Sequence, residues 1–367
     1  MIHRENMIDI IAVGDIMPGG LLSDNNLPCI NKAALEVLLK GDVRCGTLEC
    51  ALGNAPTYDE AKVADRGNVI YAKDSSIKRL KEIHVDVVSL ANNHFYDLGI
   101  AGAEHTIDLL DSEGILHCGA GKNLEEAGKP VVIEINEKKV AFLAFCDTDY
   151  NNVFYCTYAT ENSPGVNPMR EDYVAEEIKH YSALYDYVVV MAHWGAENTY
   201  KPTVQTDRMA RLMLDSGACL VLGSHPHRVQ PVINTKKGSI VYSMGNFLFP
   251  ERLIAPPKVT YYPDKPIDYS TLPVTDGYPV VEQVTLKTLP YLARVGMIVS
   301  SELTESTVKS NYVLTFLDEK NIVTLLDERA AKDIRDSIRG IHYALSLNLY
   351  RLYLRLVRIV SKIRRLL

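Results

Sequence analysis

The stretch VLGSHPHRVQ, residues 221–230, decides the fold: an apolar run closes on glycine and serine, then delivers His225 and His227 around Pro226. A residue before proline is pushed towards extended geometry, and in extended chain positions i and i+2 point the same way. The spacing therefore predicts that both rings face one locus. The same arrangement recurs upstream, where Asp15 follows IDIIAVG, Glu49 follows RCGTL, Asn93 and His94 follow VVSLAN, and His193 follows VVVMA. In open α/β sheets the carboxyl ends of strands gather at one edge, where ligands bind. Each residue alone has a plainer use: Asp15 suits a turn or a cap, Glu49 a solvated surface, and the LANNH asparagines a cap for a helix near Leu98. Their joint occurrence at run ends predicts a shared site.

The residue types fit one task. Asp15, Glu49, Asn93, His193, His225 and His227 form a mixed oxygen and nitrogen donor set, which suits manganese, iron, zinc, nickel or cobalt rather than calcium. Six donors exceed the needs of one four-coordinate ion. Two ions about 3.5 to 4 Å apart, sharing a carboxylate, would use them. Two dications against two carboxylates leave a positive pocket that attracts an anion such as a phosphoester.

Composition bounds the rest. The chain has 367 residues, 47% hydrophobic and 23% charged, enough for one large core. Its net charge of −7 becomes −13 once the six bases of residues 341–367 are set aside. An acidic body excludes a general nucleic-acid binder, whose footprint is a basic patch. The seven cysteines lack any CxxC pair and fall mostly in apolar runs, as buried thiols of a reducing compartment do. IDIIAV is too short for a signal-peptide core, and no run of about 18 apolar residues occurs. These features together predict a cytoplasmic protein.

Up to about residue 249 short Val/Ile/Leu/Ala-rich runs alternate with amphipathic stretches, the pattern of an α/β fold. Helices are expected over 31–40, 74–83, 100–113, 169–184 and 203–216. Residues 250–279, rich in proline and tyrosine, read as an irregular excursion, either a lid or a surface ornament. Strand-like runs then lead to a helical stretch from about Asp327. In the tail, leucines at helical spacing run beside Arg351, Arg355, Arg358, Lys362 and Arg365. Such a basic amphipathic helix suits an anionic membrane inner face, and equally docking on the body or on a second copy of the chain.

The motifs AVGDIMPGG, TLECAL, SLANNHFYDLGIAG, HCGAGKNLEEA, MAHWGAENTYKPTVQTDRMARLMLDSGACLVLGSHPHRVQPV and YSMGNFLF resemble, in family order, the capsule-biosynthesis family typified by CapA of poly-gamma-glutamate synthesis. That family lies in the calcineurin-like metallophosphoesterase superfamily. The resemblance covers roughly residues 8–250. It implies a sandwich of two mixed β-sheets flanked by helices; the chain as a whole is expected to divide into this domain over residues 1–325 and a helical appendage at 326–367. Carried over by motif, Asp15 and His227 would hold a first ion, Glu49 would bridge, and Asn93, His193 and His225 would hold a second. His94 would protonate the leaving group, oriented by Asp97. Asn92, Glu197 and Asn246 lie in the same motifs as candidates to contact substrate or ligands. Met17 stands where many superfamily phosphoesterases have histidine, and Thr47 stands where the family usually has asparagine.

The resulting expectation is a metal-dependent hydrolase with one or two divalent ions, manganese, iron or zinc, that directs hydroxide at a phosphoester. Two rivals use the same pocket: a non-hydrolytic component that binds an anionic, polyglutamate-like polymer, and a hydrolase of gamma-linked amide bonds.

Overall fold

The computed structural model describes residues 7–23, 26–53, 68–148, 156–265, 267–276 and 282–346. Its two large sheets are mixed. The first runs in spatial order Val323–Leu325, Val308–Leu317, Val295–Leu303, Ile8–Ile16, Val43–Leu48, Val87–Ser89 and Leu116–Cys118, and Asn246–Leu248 pairs beside the carboxyl end of Ile8–Ile16. The strands from Ile8 to Cys118 are mutually parallel, and the three C-terminal strands are antiparallel. The second runs Pro168–Met169, Lys138–Asp147, Tyr187–His193, Leu220–Ser224, Ser239–Val241 and Val232–Asn234, with Val131–Ile135 antiparallel to Lys138–Asp147.

Period-two alternation shows how these layers stack. On Lys138–Asp147, Val140, Phe142, Ala144 and Cys146 join one core with Ile10, Ala12 and Val88 of the first sheet. Ala141, Leu143 and Phe145 point the other way, against Val174 and Ile178 of the helix Glu171–Ser182 and Ala210 and Met213 of the helix Val204–Asp215. Strands buried on both faces read as near-continuous apolar runs, which is why YVVVMA and CLVLG are legible without alternation. Asn31 and Thr203 accept backbone N–H bonds three residues on and so start the helices Lys32–Leu38 and Val204–Asp215. The chain is thus the expected α/β sandwich of two mixed sheets flanked by helices.

Parallel register levels the strand ends. Asp15 lies opposite Thr47, Thr47 opposite Ser89, and His193 opposite Ser224. Gly14 permits the closest approach at this edge: a Cβ there would sit 1.8 Å from the Gly245 carbonyl, whose oxygen accepts the Asp15 N–H at 3.0 Å.

Two expectations need correction. Among the described residues of the 250–279 excursion, Arg252–Ala255, Val259–Tyr261 and Val274–Thr275 are short strands, which join Thr285–Lys287 in a four-stranded sheet. Its strands are only two to four residues long, too short to show a period between prolines. It is tied to the body where the Thr260 hydroxyl donates to the Val69 carbonyl and the Tyr262 hydroxyl to that of Tyr71. The second correction is the backbone at His225 and His227, described below.

The final helix spans Glu328–Ser346 and sinks Ala331 and Ile338 into the core of the first sheet. The basic stripe from Arg351 to Arg365 lies outside the described residues. Among those described, no helix is long and apolar enough to cross a membrane.

Candidate metal centre

Asp15 arrives on the strand Ile8–Ile16, and Glu49 directly follows Val43–Leu48, where its N–H donates to the Ile16 carbonyl at 2.8 Å. Both carboxylates are fully buried. His193 ends the strand Tyr187–His193, and His225 follows Leu220–Ser224. The structure brings these together with His227 and Asn93. Glu49, His193 and His225 offer ligand atoms within 4.8 Å of one another, and so do Asp15, Glu49 and His227. Glu49 belongs to both groups.

The His-Pro-His turn does its aiming differently from the extended geometry expected of it. His225 and His227 have φ of 93° and 50°, in the left-handed region. The chain doubles back instead of running on. The two rings stand 6.1 Å apart and serve different groups. Such conformations cost of order 1–3 kcal/mol each and persist where surroundings over-determine them. Here the His225 N–H faces the Asp15 carboxylate at 3.3 and 3.4 Å, and His227 Nδ1 lies 2.8 Å from Asn246 Oδ1.

Electrostatically the cluster is under-compensated. Among the described residues, neither oxygen of Glu49 makes a hydrogen bond. Its neighbours are the like-charged Asp15 and two imidazole nitrogens, His227 Nε2 at 3.5 Å and His193 Nε2 at 3.7 Å. Burial, and then Asp15, hold the Glu49 carboxyl well above its ordinary range. Burial pushes His193 well below its ordinary value and His225 down to about 4, so both rings are neutral and ready to ligate. Burial also works against charge on His227, but Glu49 and Asp15 outweigh it and hold that ring up at about 10. The buried Nε2 of His225 likewise has no hydrogen-bond partner. Orphaned buried acceptors beside neutral imidazoles fit a divalent ion, because a cation supplies what no protein donor here does.

The remaining expected residues take distinct places. His94 Nδ1 lies 2.7 Å from Asp97 Oδ2, which also accepts the Ile70 N–H at 2.7 Å. The His94 side chain is 15% exposed. Asn93 Oδ1 lies 2.8 Å from His193 Nε2. Asn92 donates to the Leu48 carbonyl and accepts the His94 N–H, fixing the loop rather than facing the ions' position. Glu197 is half-buried and acts on Glu49, His225 and His227 through its charge. Asn246 donates to the Ala293 carbonyl and holds His227 through Oδ1.

Sequence reasoning missed Ser224 and the use of Thr47. Ser224 Oγ lies 3.0 Å from His193 Nδ1 and 3.0 Å from Thr47 Oγ1, so a hydroxyl pair joins the two sheets behind a ligand. Thr47 sits two residues before Glu49 and Ser224 one before His225, which is the one signal that points to them.

Fold and site together are those of a two-sheet α/β sandwich with a candidate metal centre of carboxylates, an amide and imidazoles at its strand ends. The chain belongs to the bacterial capsule synthesis protein PGA_cap family, whose model matches residues 9–251. "Capsule biosynthesis protein CapA" of Bacillus anthracis is 32% identical over 260 residues, 67% of this chain and 61% of that protein. "PGA biosynthesis protein CapA" of Bacillus subtilis (strain 168) is 29% identical over 253 residues, 67% of this chain and 64% of that one. The chain thus spans less than two thirds of the length of these curated relatives. Among solved structures, a 5'-nucleotidase from Candida albicans SC5314 aligns at a TM-score of 0.37 and 11% identity, over 92% of this chain and 57% of that one. The sulfate thiohydrolase SoxB of Thermus thermophilus aligns at 0.39 and 12%, over 91% and 60%.

Proposed function

We propose that the chain is a metal-dependent hydrolase of phosphoesters that serves capsule or poly-gamma-glutamate synthesis. The observation that carries this reading is Glu49, whose two buried oxygens make no hydrogen bond among the described residues yet lie within reach of both ligand groups. Asp15, Glu49 and His227 would hold one divalent ion, and Glu49, His193 and His225, with Asn93, a second. Manganese, iron or zinc suits such donors. Ions bound there supply Lewis acidity and lower the pKa of water.

The chain's own residues supply the rest. With Nδ1–H given to Asp97, the His94 ring is left to donate a proton from Nε2 to the leaving oxygen. Ser224 holds His193 in one orientation, and Asn246 does the same for His227. The relatives' names favour an anionic polymer or its precursor as substrate. Residues 341–367 would bring the chain to an anionic membrane or to a second copy, which vesicle co-sedimentation and sedimentation velocity of a chain ending at 346 would separate.

The test is to load the protein with manganese, count bound metal by mass spectrometry, and follow bis(p-nitrophenyl) phosphate. Turnover that falls in Asp15→Ala and His227→Ala together with metal content is the expected result. A fully loaded, intact protein that turns over no phosphoester would overturn the reading.

A further inference from the structure

The strand Lys138–Asp147 brings a pair of thiols to the carboxyl-end rim. Its Cys146 lies opposite His193 in parallel register, and the Cys146 Sγ stands 3.8 Å from that of Cys156. One short segment holds both cysteines in place: the Asn167 carbonyl accepts the Cys146 N–H at 2.9 Å, and the Val166 N–H donates to the Thr157 carbonyl, next to Cys156, at 2.8 Å. Cys146 is buried and Cys156 half-buried. Cys156 Sγ also lies 3.7 Å from the Asn92 carbonyl, within reach of a weak S–H donor. Asn92 in turn fixes the loop that carries Asn93 and His94, by donating to the Leu48 carbonyl and accepting the His94 N–H. One sulfur therefore touches both a second thiol and the loop that presents a candidate ligand and the candidate acid.

We propose that Cys146 and Cys156 are a thiol-modification site, which low-molecular-weight disulfides oxidise reversibly to a disulfide that loosens the Asn92–His94 loop. The chemistry is thiol–disulfide exchange. The half-buried Cys156, as thiolate, attacks the small disulfide and releases one thiol. Burial, and then the Cys156 thiol, hold the Cys146 thiol well above its ordinary range, which leaves Cys146 the second partner rather than the first. Cys146, whose fixed proximity offsets its small thiolate fraction, attacks the Cys156 sulfur, the S–S bond between them forms, and the second small thiol leaves with the Cys146 proton. Two cysteine thiols are thereby oxidised, and one small disulfide is reduced to two thiols. The sulfurs close from 3.8 Å to about 2.05 Å, a distance that side-chain rotation covers. In that state Cys156 has no S–H to give the Asn92 carbonyl.

The inference goes beyond the hydrolase reading, and its test needs neither metal nor turnover. The metal-free full chain is treated with oxidised glutathione, free thiols are blocked, and disulfides are mapped by mass spectrometry of the digest, while amide hydrogen exchange is followed over residues 90–96 in the same samples. The wild type is expected to form a Cys146–Cys156 cross-link that dithiothreitol removes, with exchange over 90–96 about three-fold or more faster while the cross-link is present. Cys156→Ser, whose hydroxyl can still donate to Asn92, should form no cross-link and keep its slow exchange in oxidant. Free thiols at both positions, or glutathione left on Cys156 with no cross-link, would overturn the site. A cross-link that leaves exchange unchanged, or an equal rise in Cys156→Ser, would overturn its action on the loop. Absence of metal binding or of phosphoester turnover would sink the hydrolase reading alone and leave the thiol result standing.

Discussion

At the amino ends of the first sheet's parallel strands, Arg44 meets Asp86 at 2.6 Å and donates Nε to the His84 carbonyl, while Lys81 meets Glu113 at 2.6 Å. At the carboxyl ends, Asp15 and Glu49 are buried together with no lysine or arginine ion-paired to either among the described residues and with imidazoles packed nitrogen to nitrogen, His193 Nε2 being 3.1 Å from His225 Nδ1. Acids, bases and histidines occur at both rims. What differs is compensation: one rim pairs its charges near water, and the other removes them from water and leaves them short of positive charge. Burying acids with so few donors is costly to folding, for among the described residues Glu49 makes no hydrogen bond. The contrast therefore separates structural ionic groups from a candidate cation site.

The sharpest way to break the contrast is Glu49→Gln. Metal-dependent turnover should fall about 10³-fold or more, several kcal/mol at 1.36 kcal/mol per tenfold. In metal-free protein above the pH at which the raised Glu49 carboxyl ionises, it should raise the melting temperature, since the buried charge no longer forms. Calorimetry of metal-free and manganese-loaded samples checks both, and a metal-free variant that melts lower would remove the claim of stored electrostatic cost. Next in size, His94→Gln should slow turnover about 10²- to 10⁴-fold for poor leaving groups, with metal content intact. The loss should shrink for p-nitrophenyl esters, whose leaving oxygen needs no proton.

Ser224→Ala should cost about 10- to 100-fold in metal affinity through the lost His193 contact, read by competition with a chelating dye. Thr47→Val, one bond further out, should cost less.

The pH dependence sharpens the comparison further. His227 has a raised folded pKa of about 10, so its contribution to metal-free stability is complete below about 6.5 and fades as pH rises towards 10. The upward shift of Glu49, driven by burial and Asp15, acts in the same direction. Metal-free protein should lose melting temperature over that range, while stabilisation by added manganese grows because the ion displaces those protons. Thermal melts from pH 6.5 to 10, with and without metal, test the opposing slopes. The smallest effect belongs to the paired rim. A double-mutant cycle on Arg44 and Asp86 should give about 1 kcal/mol or less, for both side chains are partly exposed.

Much of this was legible in the residue order. Apolar runs such as IDIIAV and YVVVMA are long enough to mark strands, and a polar residue after each marks the edge where ligands gather. The pairing of Arg252–Ala255 with Thr285–Lys287 was not legible, because strands of three and four residues between prolines carry no period, and their antiparallel register is set by contacts with the body. Nor was Ser224, since a serine after a strand has many uses until its partner, Thr47 in the other sheet, is known.

By itself the sequence determined the α/β class, the strands, and the residue types available at their ends, because periodicity and strand polarity are local properties of a chain. Which nitrogen faces which carboxylate, that Glu49 is common to two ligand groups, and that His225 and His227 turn through positive φ were decided by packing the two sheets together. Side-chain aim depends on backbone torsions that neighbours distant in sequence impose, and no spacing rule encodes them.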